Sequence, residues 1–188
     1  MKGLSMMPYA SELELEEELE FEAPRPPKIS IRYVKGAAEM EVERFDPAPP
    51  RPGTILFTRF AFGSPTPIAA HRTLAARVAK AAASRMAALP SFVGCVFLDV
   101  EGHEDEVGDP ARYGRLGGER AKAIAGLILA ALRTEIAKLP AGDRRNVVFT
   151  ISSAGPVRPI RSNVTDEGRA LNRRVEVRIR TGTCPGVA

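Results

Sequence analysis

Apolar residues recur with a helical period in two places along the middle of the chain. Within residues 71–89 they recur every three or four positions until Pro90, which predicts an amphipathic helix. Thr66 and Pro67 are typical of the cap and the first position of such a helix. A second series with the same period, residues 121–136, predicts a second helix.

Strand-like patterns flank and separate the two helices. They are residues 54–62, 92–100, 146–152 and 174–180. The second run is apolar almost throughout, which favours burial on both faces, whereas the last alternates apolar and charged side chains as a half-exposed strand does. The order strand, helix, strand, helix, strand, loop, strand predicts an α/β (α+β) two-layer sandwich with parallel neighbouring strands.

Two proline clusters divide the chain before this region, at residues 24–27 and 47–52. Between them, residues 28–34 and 39–45 alternate apolar and polar side chains around Lys35-Gly36, which predicts a β-hairpin. We therefore expect four parts: an acidic, disordered tail (1–27), an accessory hairpin with a proline-rich linker (28–52), the main domain (53–181) and a short tail (182–188).

The charge is unevenly distributed although its sum is small. The 188 residues carry a formal net charge of +4, and they contain no run of apolar residues long enough to predict a membrane span. Residues 1–23 hold seven glutamates and one lysine, a balance of −6, whereas residues 144–180 hold nine arginines and three acidic residues. The basic region is either a solvated face or a site for an anionic partner.

Cysteine content and the N-terminal pattern bear on the compartment. The two cysteines, Cys95 and Cys184, are too few for a disulfide scaffold or a four-cysteine zinc site, and whether they pair stays open. Cys95 is expected in the core. Residues 1–10 include a basic side chain but no apolar core of the length that a secretory signal has, so no such signal is predicted.

An aspartate and an arginine flank the loop after the second main-domain strand. Asp105 follows that strand, and Arg120 lies in the first turns of the next helix. Ligands of α/β folds usually bind in loops at strand ends. A carboxylate and a guanidinium facing one cavity hold the two halves of a zwitterion, an ammonium and a carboxylate. The alternative is a simple salt bridge between Asp105 and Arg120.

A longer set of positions resembles a known family, the OmpA-like C-terminal domain. The resemblance covers about residues 53–180 and is strongest at its end, Asn172-Arg173-Arg174-Val175-Glu176. The other matching positions are Gly102-His103-Glu104-Asp105, Gly108, Leu116, Arg120-Ala121, Gly155, Pro159, Asn163 and residues 168–171.

The resemblance implies noncatalytic binding of peptidoglycan through the diaminopimelate of its stem peptide. Asp105 is then expected to contact the ammonium group and Arg120 the carboxylate. Arg173 and Arg174 are neighbours on an alternating strand and face opposite sides, so only one can border this site, and we expect Arg173. The remaining positions expected at the site are Tyr113, Leu116, Gly117 and Asn172.

Three departures from the family pattern concern the binding loop. Tyr113 replaces an asparagine that normally shapes the loop. Glu104 replaces a threonine and adds a negative charge beside Asp105, which is expected to weaken or retune binding of a carboxylate ligand. Gly117 replaces a serine and is expected to lose a helix-capping hydroxyl, an effect of a few tenths of a kcal/mol.

Other classes of function are weaker readings of the same residues. A metal-dependent hydrolase would have to use His103 and Asp105 within an acidic cluster, but no metalloprotease, nucleophile-elbow or phosphate-loop motif accompanies them. Nucleic-acid binding would rest on the arginines alone, because tryptophan is absent and most phenylalanines fall in predicted strands. A third alternative is an interaction module that has lost wall binding and docks a protein or polyanion.

The resemblance to OmpA-like domains implies a bacterial cell-envelope protein that is associated with the outer membrane and is not an enzyme. We expect the peptidoglycan stem peptide as its partner, a protein partner for the acidic tail, and no nucleic acid, metal, cofactor or membrane span. Without a visible signal, the location is either the periplasm or a cytoplasmic origin with a non-standard export route.

The acidic tail is expected to fold back onto the basic region and compete with an anionic ligand. Deletion of residues 1–23 should therefore raise the affinity for such a ligand at low salt, and the gain should shrink as salt screens the charges. Titration of both chains at two ionic strengths measures this, and equal affinities at low salt would rule out the contact.

Overall fold

The computed structural model describes residues 29–33, 47–90 and 94–185, and within them it contains a single five-stranded sheet and three α-helices. The mixed two-layer fold predicted from the sequence is confirmed. The elements in chain order are β1 (Ile29–Tyr33), β2 (Ile55–Phe57), α1 (Ala69–Ala87), β3 (Gly94–His103), α2 (Arg115–Ala137), β4 (Asn146–Gly155), α3 (Asp166–Asn172) and β5 (Val175–Thr183).

The sheet has the strand order β1-β4-β3-β5-β2. β3 and β4 are parallel and are connected through α2, as a crossover helix requires. β1 is parallel to β4, whereas β5 is antiparallel to both β3 and β2. The carboxyl ends of β3 and β4 therefore meet the beginning of β5 at one edge of the sheet.

The core lies between one face of the sheet and the helices α1 and α2. Along β3, Val96, Leu98 and Val100 are fully buried in it, while the alternate residues Phe97 and Glu101 are only half-buried. The expectation that this strand is buried on both faces is thus wrong. Both long helices lie on the same face, so in the described residues the other face carries mixed and charged side chains.

The first strand of the predicted hairpin joins the main sheet. β1 pairs with β4 over five residues and extends the sheet beyond β4. The pairing satisfies backbone groups that β4 would otherwise expose at an edge. The strand expected at residues 39–45 and the acidic tail, 1–27, lie outside the described residues.

β2 is shorter than predicted, and α1 begins later. The extended run ends near Arg59, which has a φ of 67°, and Phe60 turns inward to lie 4.5 Å from the ring of His71. His71 is buried, accepts the N–H of Ile68 at Nδ1 and contacts the Thr58 carbonyl oxygen through Nε2 at 2.8 Å. His71 therefore replaces the expected Thr66 cap and moves the start of α1 to Ala69.

The segment predicted as a loop before β5 contains the short helix α3. Its cap is Thr165, whose hydroxyl oxygen accepts the N–H of Gly168 at 3.1 Å. Asp166 and Glu167 lie in the first turn, where negative charge favours a helix N-terminus. These signals are present in the sequence, and the shortness of the helix explains why no apolar period indicated it.

The half-exposed sheet face carries a disulfide between Cys95, near the start of β3, and Cys184, just after β5. The bond settles the question that the sequence left open about these two residues. In the described part of the chain, no helix combines the length and the apolarity needed to cross a membrane.

The disulfide closes a loop with a sequence separation of 89 residues. Restricting so long a loop in the unfolded chain is expected to stabilise the fold by about 4 kcal/mol. Urea unfolding should therefore show a lower midpoint for Cys184→Ser than for the oxidised parent, and reductant should lower the midpoint of the parent only. A parent midpoint that does not respond to complete reduction would contradict this.

Candidate binding site

The candidate site is built where β3 ends and α2 begins. β3 runs to His103, so Glu104 and Asp105 are the first residues of the following loop. The loop returns through Gly114, whose φ of 85° suits a glycine, and α2 starts at Arg115. Arg120 follows in the second turn of α2 and faces back toward the sheet.

Asp105 is a buried carboxylate with a charged partner. It is 4% exposed, and its Oδ2 lies 2.6 Å from Nη1 of Arg173. Its Oδ1 accepts the backbone N–H of Val107 at 3.2 Å. Asp105 thus pairs with Arg173, and the simple Asp105–Arg120 salt bridge considered from the sequence is not the arrangement found.

Arg120 is buried, and its donors are used on backbone carbonyls. It is 1% exposed and donates to the carbonyl oxygens of Ser64 at 3.0 Å, His103 at 3.3 Å and Ala61 at 3.4 Å. Burial lowers the pKa of Arg120 to about 10, although the nearby charges of Glu104 and Asp105 oppose this. The guanidinium therefore stays charged at neutral pH, and among the described residues no carboxylate is its direct hydrogen-bond partner.

Arg173 and Arg174 have different partners, but the predicted strand alternation is not the reason, because Arg173 is the C-cap residue of α3 and β5 begins only at Val175. Arg173 reaches Asp105 and donates from Nε to the carbonyl oxygen of Phe60 at 2.9 Å. Arg174 is buried elsewhere, and its Nε and Nη2 donate to Oε1 of Glu176 at 2.8 and 2.5 Å. Of the two arginines, Arg173 is the one that borders the candidate site.

A short segment, residues 60–64, covers these charges. Its carbonyl oxygens accept hydrogen bonds from Arg173 and Arg120, and the ring of Phe60 lies 5.5 Å from the guanidinium carbon of Arg120. Two cavities open beside the segment, of about 410 and 510 Å³. Asp105 and Arg120 line neither cavity, whereas Arg173 lines the larger one.

Glu104 has a structural role that the sequence did not reveal. Its carboxylate accepts the backbone N–H of Gly117 at 2.6 Å and that of Gly114 at 3.2 Å, and the side chain is buried. A carboxylate at these unpaired N–H groups caps α2 and complements its dipole. The cap expected to be lost at Gly117 is therefore supplied by Glu104, and its charge is directed at the helix.

Gly117 allows the backbone of α2 to approach β3 closely. A Cβ atom at Gly117 would lie 2.5 Å from Oγ of Ser153, and one at Gly102 would collide with the Gly117 carbonyl group.

Leu116 and Tyr113 line the 410 Å³ cavity, and the Tyr113 hydroxyl donates to the carbonyl oxygen of Glu106 at 2.8 Å. Burial raises the pKa of Tyr113, and the acidic side chains of the loop raise it further.

Asn172 lies behind the site, and its side chain is fully used within the protein. It is fully buried, and its Oδ1 accepts the N–H groups of Ile160 and Arg161 at 2.8 and 3.0 Å. Its Nδ2 donates to the Arg161 carbonyl oxygen and to Oδ1 of Asn163, both at 2.7 Å. Asn172 thus holds the loop after β4 against α3 and positions Arg173 next to it.

The basic region, residues 144–180, is largely engaged within the fold. Each of its nine arginines has an ion pair or a hydrogen bond inside the protein; they are Arg144, Arg145, Arg158, Arg161, Arg169, Arg173, Arg174, Arg178 and Arg180. His103 and Asp105, the pair that a hydrolase would need, have different neighbours: the His103 ring faces Glu101 and Glu176.

Sequence reasoning selected Asp105, Arg120 and Arg173 as candidates, but it did not indicate the Asp105–Arg173 pair or the segment that covers these residues. Phe60, Ala61 and Ser64 are 56 or more residues away from the arginines that bind their carbonyl groups. Backbone carbonyls carry no residue signature, so no motif could indicate these contacts. The left-handed backbone conformation of Arg59, which starts the bend, is likewise not indicated by any pattern in the sequence.

Comparison with known proteins supports the resemblance noted above. Over 80 residues, 43% of this chain, the sequence is 39% identical to outer membrane porin F of Pseudomonas aeruginosa, and the match spans 20% of the porin. The chain thus matches about a fifth of the length of that relative. No family model matches the chain.

Similar solved structures have 19 to 24% sequence identity to this chain. The peptidoglycan-associated lipoprotein of Burkholderia pseudomallei has a TM-score of 0.49, with 65% of this chain and 88% of that chain covered. The C-terminal domain of Helicobacter pylori MotB has a TM-score of 0.46, with 70% and 86% covered. The cell wall anchor of the T6SS from Pseudomonas aeruginosa has a TM-score of 0.41, with 70% and 80% covered. The resemblance to OmpA-like domains predicted from the sequence is confirmed.

Removal of the Glu104 carboxylate should destabilise the start of α2. Glu104→Ala leaves the N–H groups of Gly114 and Gly117 without their acceptor and is expected to cost about 2 kcal/mol of unfolding free energy. Chemical denaturation measures the loss. Glu106→Ala removes a carboxylate from an exposed position of the same loop and should cost far less; equal losses would contradict the capping role.

Proposed function

We propose that this chain binds peptidoglycan noncatalytically through the diaminopimelate of the stem peptide. Asp105 binds the ammonium group, and Arg120 and Arg173 bind the carboxylate. The observation that carries the proposal is the burial of Asp105 next to two guanidinium groups at the carboxyl end of β3. Buried charges of both signs at a strand end are suited to a ligand that itself carries both signs.

Binding proceeds as an exchange of ion pairs. The ligand ammonium takes the place of Arg173 at Oδ2 of Asp105, and the ligand carboxylate takes the freed guanidinium. The internal pair becomes two pairs with the ligand, so no buried charge is left without a partner. A simple amine or a simple carboxylate would leave one buried charge unpaired, which is costly. This exchange favours a zwitterion over either single charge.

The covering segment, residues 60–64, opens in the same step. The carboxylate competes with the Phe60, Ala61 and Ser64 carbonyl oxygens for the guanidinium donors, and a hydrogen bond between two charged groups is stronger than one to a neutral carbonyl. Leu116 and Tyr113, in the neighbouring 410 Å³ cavity, then contact the rest of the stem peptide. Asn172 acts as a positioning residue for Arg173.

The proposed location is the cell envelope, in the periplasm. The match to a fifth of an outer membrane porin and the resemblance to OmpA-like domains support this location. The Cys95–Cys184 disulfide supports it independently, because such bonds persist in oxidising compartments.

Binding to purified sacculi tests the proposed site. Asp105→Asn removes the negative charge that pairs with the ligand ammonium, and Arg120→Lys removes the forked guanidinium contact with the ligand carboxylate. Each variant should therefore lower the affinity about tenfold or more. Free diaminopimelate should release the parent protein. The absence of released wall fragments during the incubation would be consistent with a noncatalytic role.

Matched controls separate this site from general charge effects. Glu106→Gln, at an exposed position of the same loop, and Arg133→Lys, at an exposed position of the same helix away from the cavity, make equivalent changes and should bind as the parent does. Circular dichroism checks that the site variants fold. Parent-like binding by both folded site variants would refute the site, and binding that diaminopimelate does not displace but salt removes would instead indicate a polyanion-docking module.

A further inference from the structure

Two carboxylates and an imidazole lie close together near the carboxyl end of β3 and the start of β5. Glu101 and His103 lie on β3 and Glu176 lies on β5, and we call these three residues the β3–β5 cluster. One ligand atom from each residue falls within 4.8 Å of the others. The proposed peptidoglycan site uses none of these side chains.

The strand register places two like charges directly opposite each other. Glu101 pairs with Glu176 across the antiparallel ladder of β3 and β5. Like charges at directly opposed positions destabilise a sheet unless a cation lies between or beside them. Arg174 and Arg158 supply part of this positive charge, and a bound metal ion would supply the rest once the exposed Arg158 moves away.

The separations within the cluster are long for hydrogen bonds and suitable for a shared metal ion. Nε2 of His103 lies 3.5 Å from Oε1 of Glu176 and 3.8 Å from Oε2 of Glu101. Ligands placed 2.0 to 2.2 Å from a zinc ion at tetrahedral angles are about 3.3 to 3.6 Å apart. Nε2 of His103 and Oε1 of Glu176 already have this spacing, and the Glu101 side chain, which is 28% exposed, would rotate to bring its Oε2 closer.

His103 supplies a second and independent observation. It is 1% exposed, and among the described residues neither ring nitrogen has a hydrogen-bond partner, which is unusual for a buried imidazole. Its unused Nε2 faces the carboxylates of Glu101 and Glu176, and imidazole nitrogen is a common ligand of metal ions in proteins.

The arginines around the cluster leave room for a cation. Arg174 holds Oε1 of Glu176 from the buried side, while Arg158 pairs with Oε1 of Glu101 and leaves its Oε2 facing His103. Arg158 is 38% exposed, so it can move into solvent and leave the cluster and Arg174 with a net charge of −1. A cavity of about 200 Å³ lined by Glu101 and Glu176 gives an ion a path from solvent.

We infer that the β3–β5 cluster is a zinc site, with Glu101, His103 and Glu176 as ligands and water from the cavity in the fourth position. One nitrogen and two carboxylate oxygens form a ligand set that suits zinc better than calcium or magnesium, which prefer oxygen alone. The ion would join β3 to β5 at the base of the loop that carries Asp105.

Zinc stoichiometry and thermal stability of the full chain test the site. After treatment with a chelator and dialysis, the parent is expected to bind one equivalent of zinc from zinc chloride and to gain on the order of 5 °C in Tm at saturation. Magnesium chloride at the same concentration should give no gain. Glu101→Gln and His103→Gln should each lose the bound equivalent.

Two controls make the result specific to the cluster. Asp99→Asn removes a carboxylate that lines the same cavity but lies outside the cluster, and it should keep the zinc. Because Glu101 is partly exposed, the Glu101→Gln variant should fold even if the His103→Gln variant does not. If only Glu101→Gln folds, its zinc content alone decides the test. A parent that binds no zinc, or zinc that Glu101→Gln retains in full, for example on the N-terminal glutamates, would overturn the inference.

Discussion

The buried ion pair between Asp105 and Arg173 is the interaction on which the candidate site depends. A carboxylate that is 4% exposed can stay ionised only if a positive group and hydrogen-bond donors compensate for its lost hydration. Arg173 supplies the charge, and the Val107 N–H supplies a donor. The end of β3 and the turn before β5 are therefore held together by charge at the point where a ligand would enter.

The same constraint explains the segment above the site. Arg120 and Arg173 have more donors than the nearby carboxylates accept, and the surplus is satisfied by the carbonyl groups of Phe60, Ala61 and Ser64. The bend that begins at Arg59 brings these carbonyls into reach. In the proposed binding step, a ligand carboxylate at the arginines would also release this segment, which would couple ligand affinity to local order.

The sequence and the structure agree most closely where a pattern is repeated along several turns or residues. The helical period of residues 121–136 lies within α2, and the alternation of residues 174–180 is found in β5. The divergence of Arg173 and Arg174 has another cause than the predicted alternation, because both residues lie in the turn between α3 and β5. The boundaries of β2 and α1 were harder to predict from the sequence, because contacts between distant residues set them. Arg59 binds the Ala170 carbonyl group, and His71 contacts Phe60 and Thr58.

The amino-acid sequence by itself determined the two-layer fold and the helix periods, because each rests on spacing between near neighbours in the chain, and it indicated Asp105 and Arg120 as candidate site residues. Only the tertiary structure decided which partner Asp105 has, that Glu104 caps α2, that Cys95 and Cys184 are bonded, and that Glu101 lies opposite Glu176. Each of these depends on the register and approach of elements far apart in the chain, and long-range register is set by the packing of the whole core.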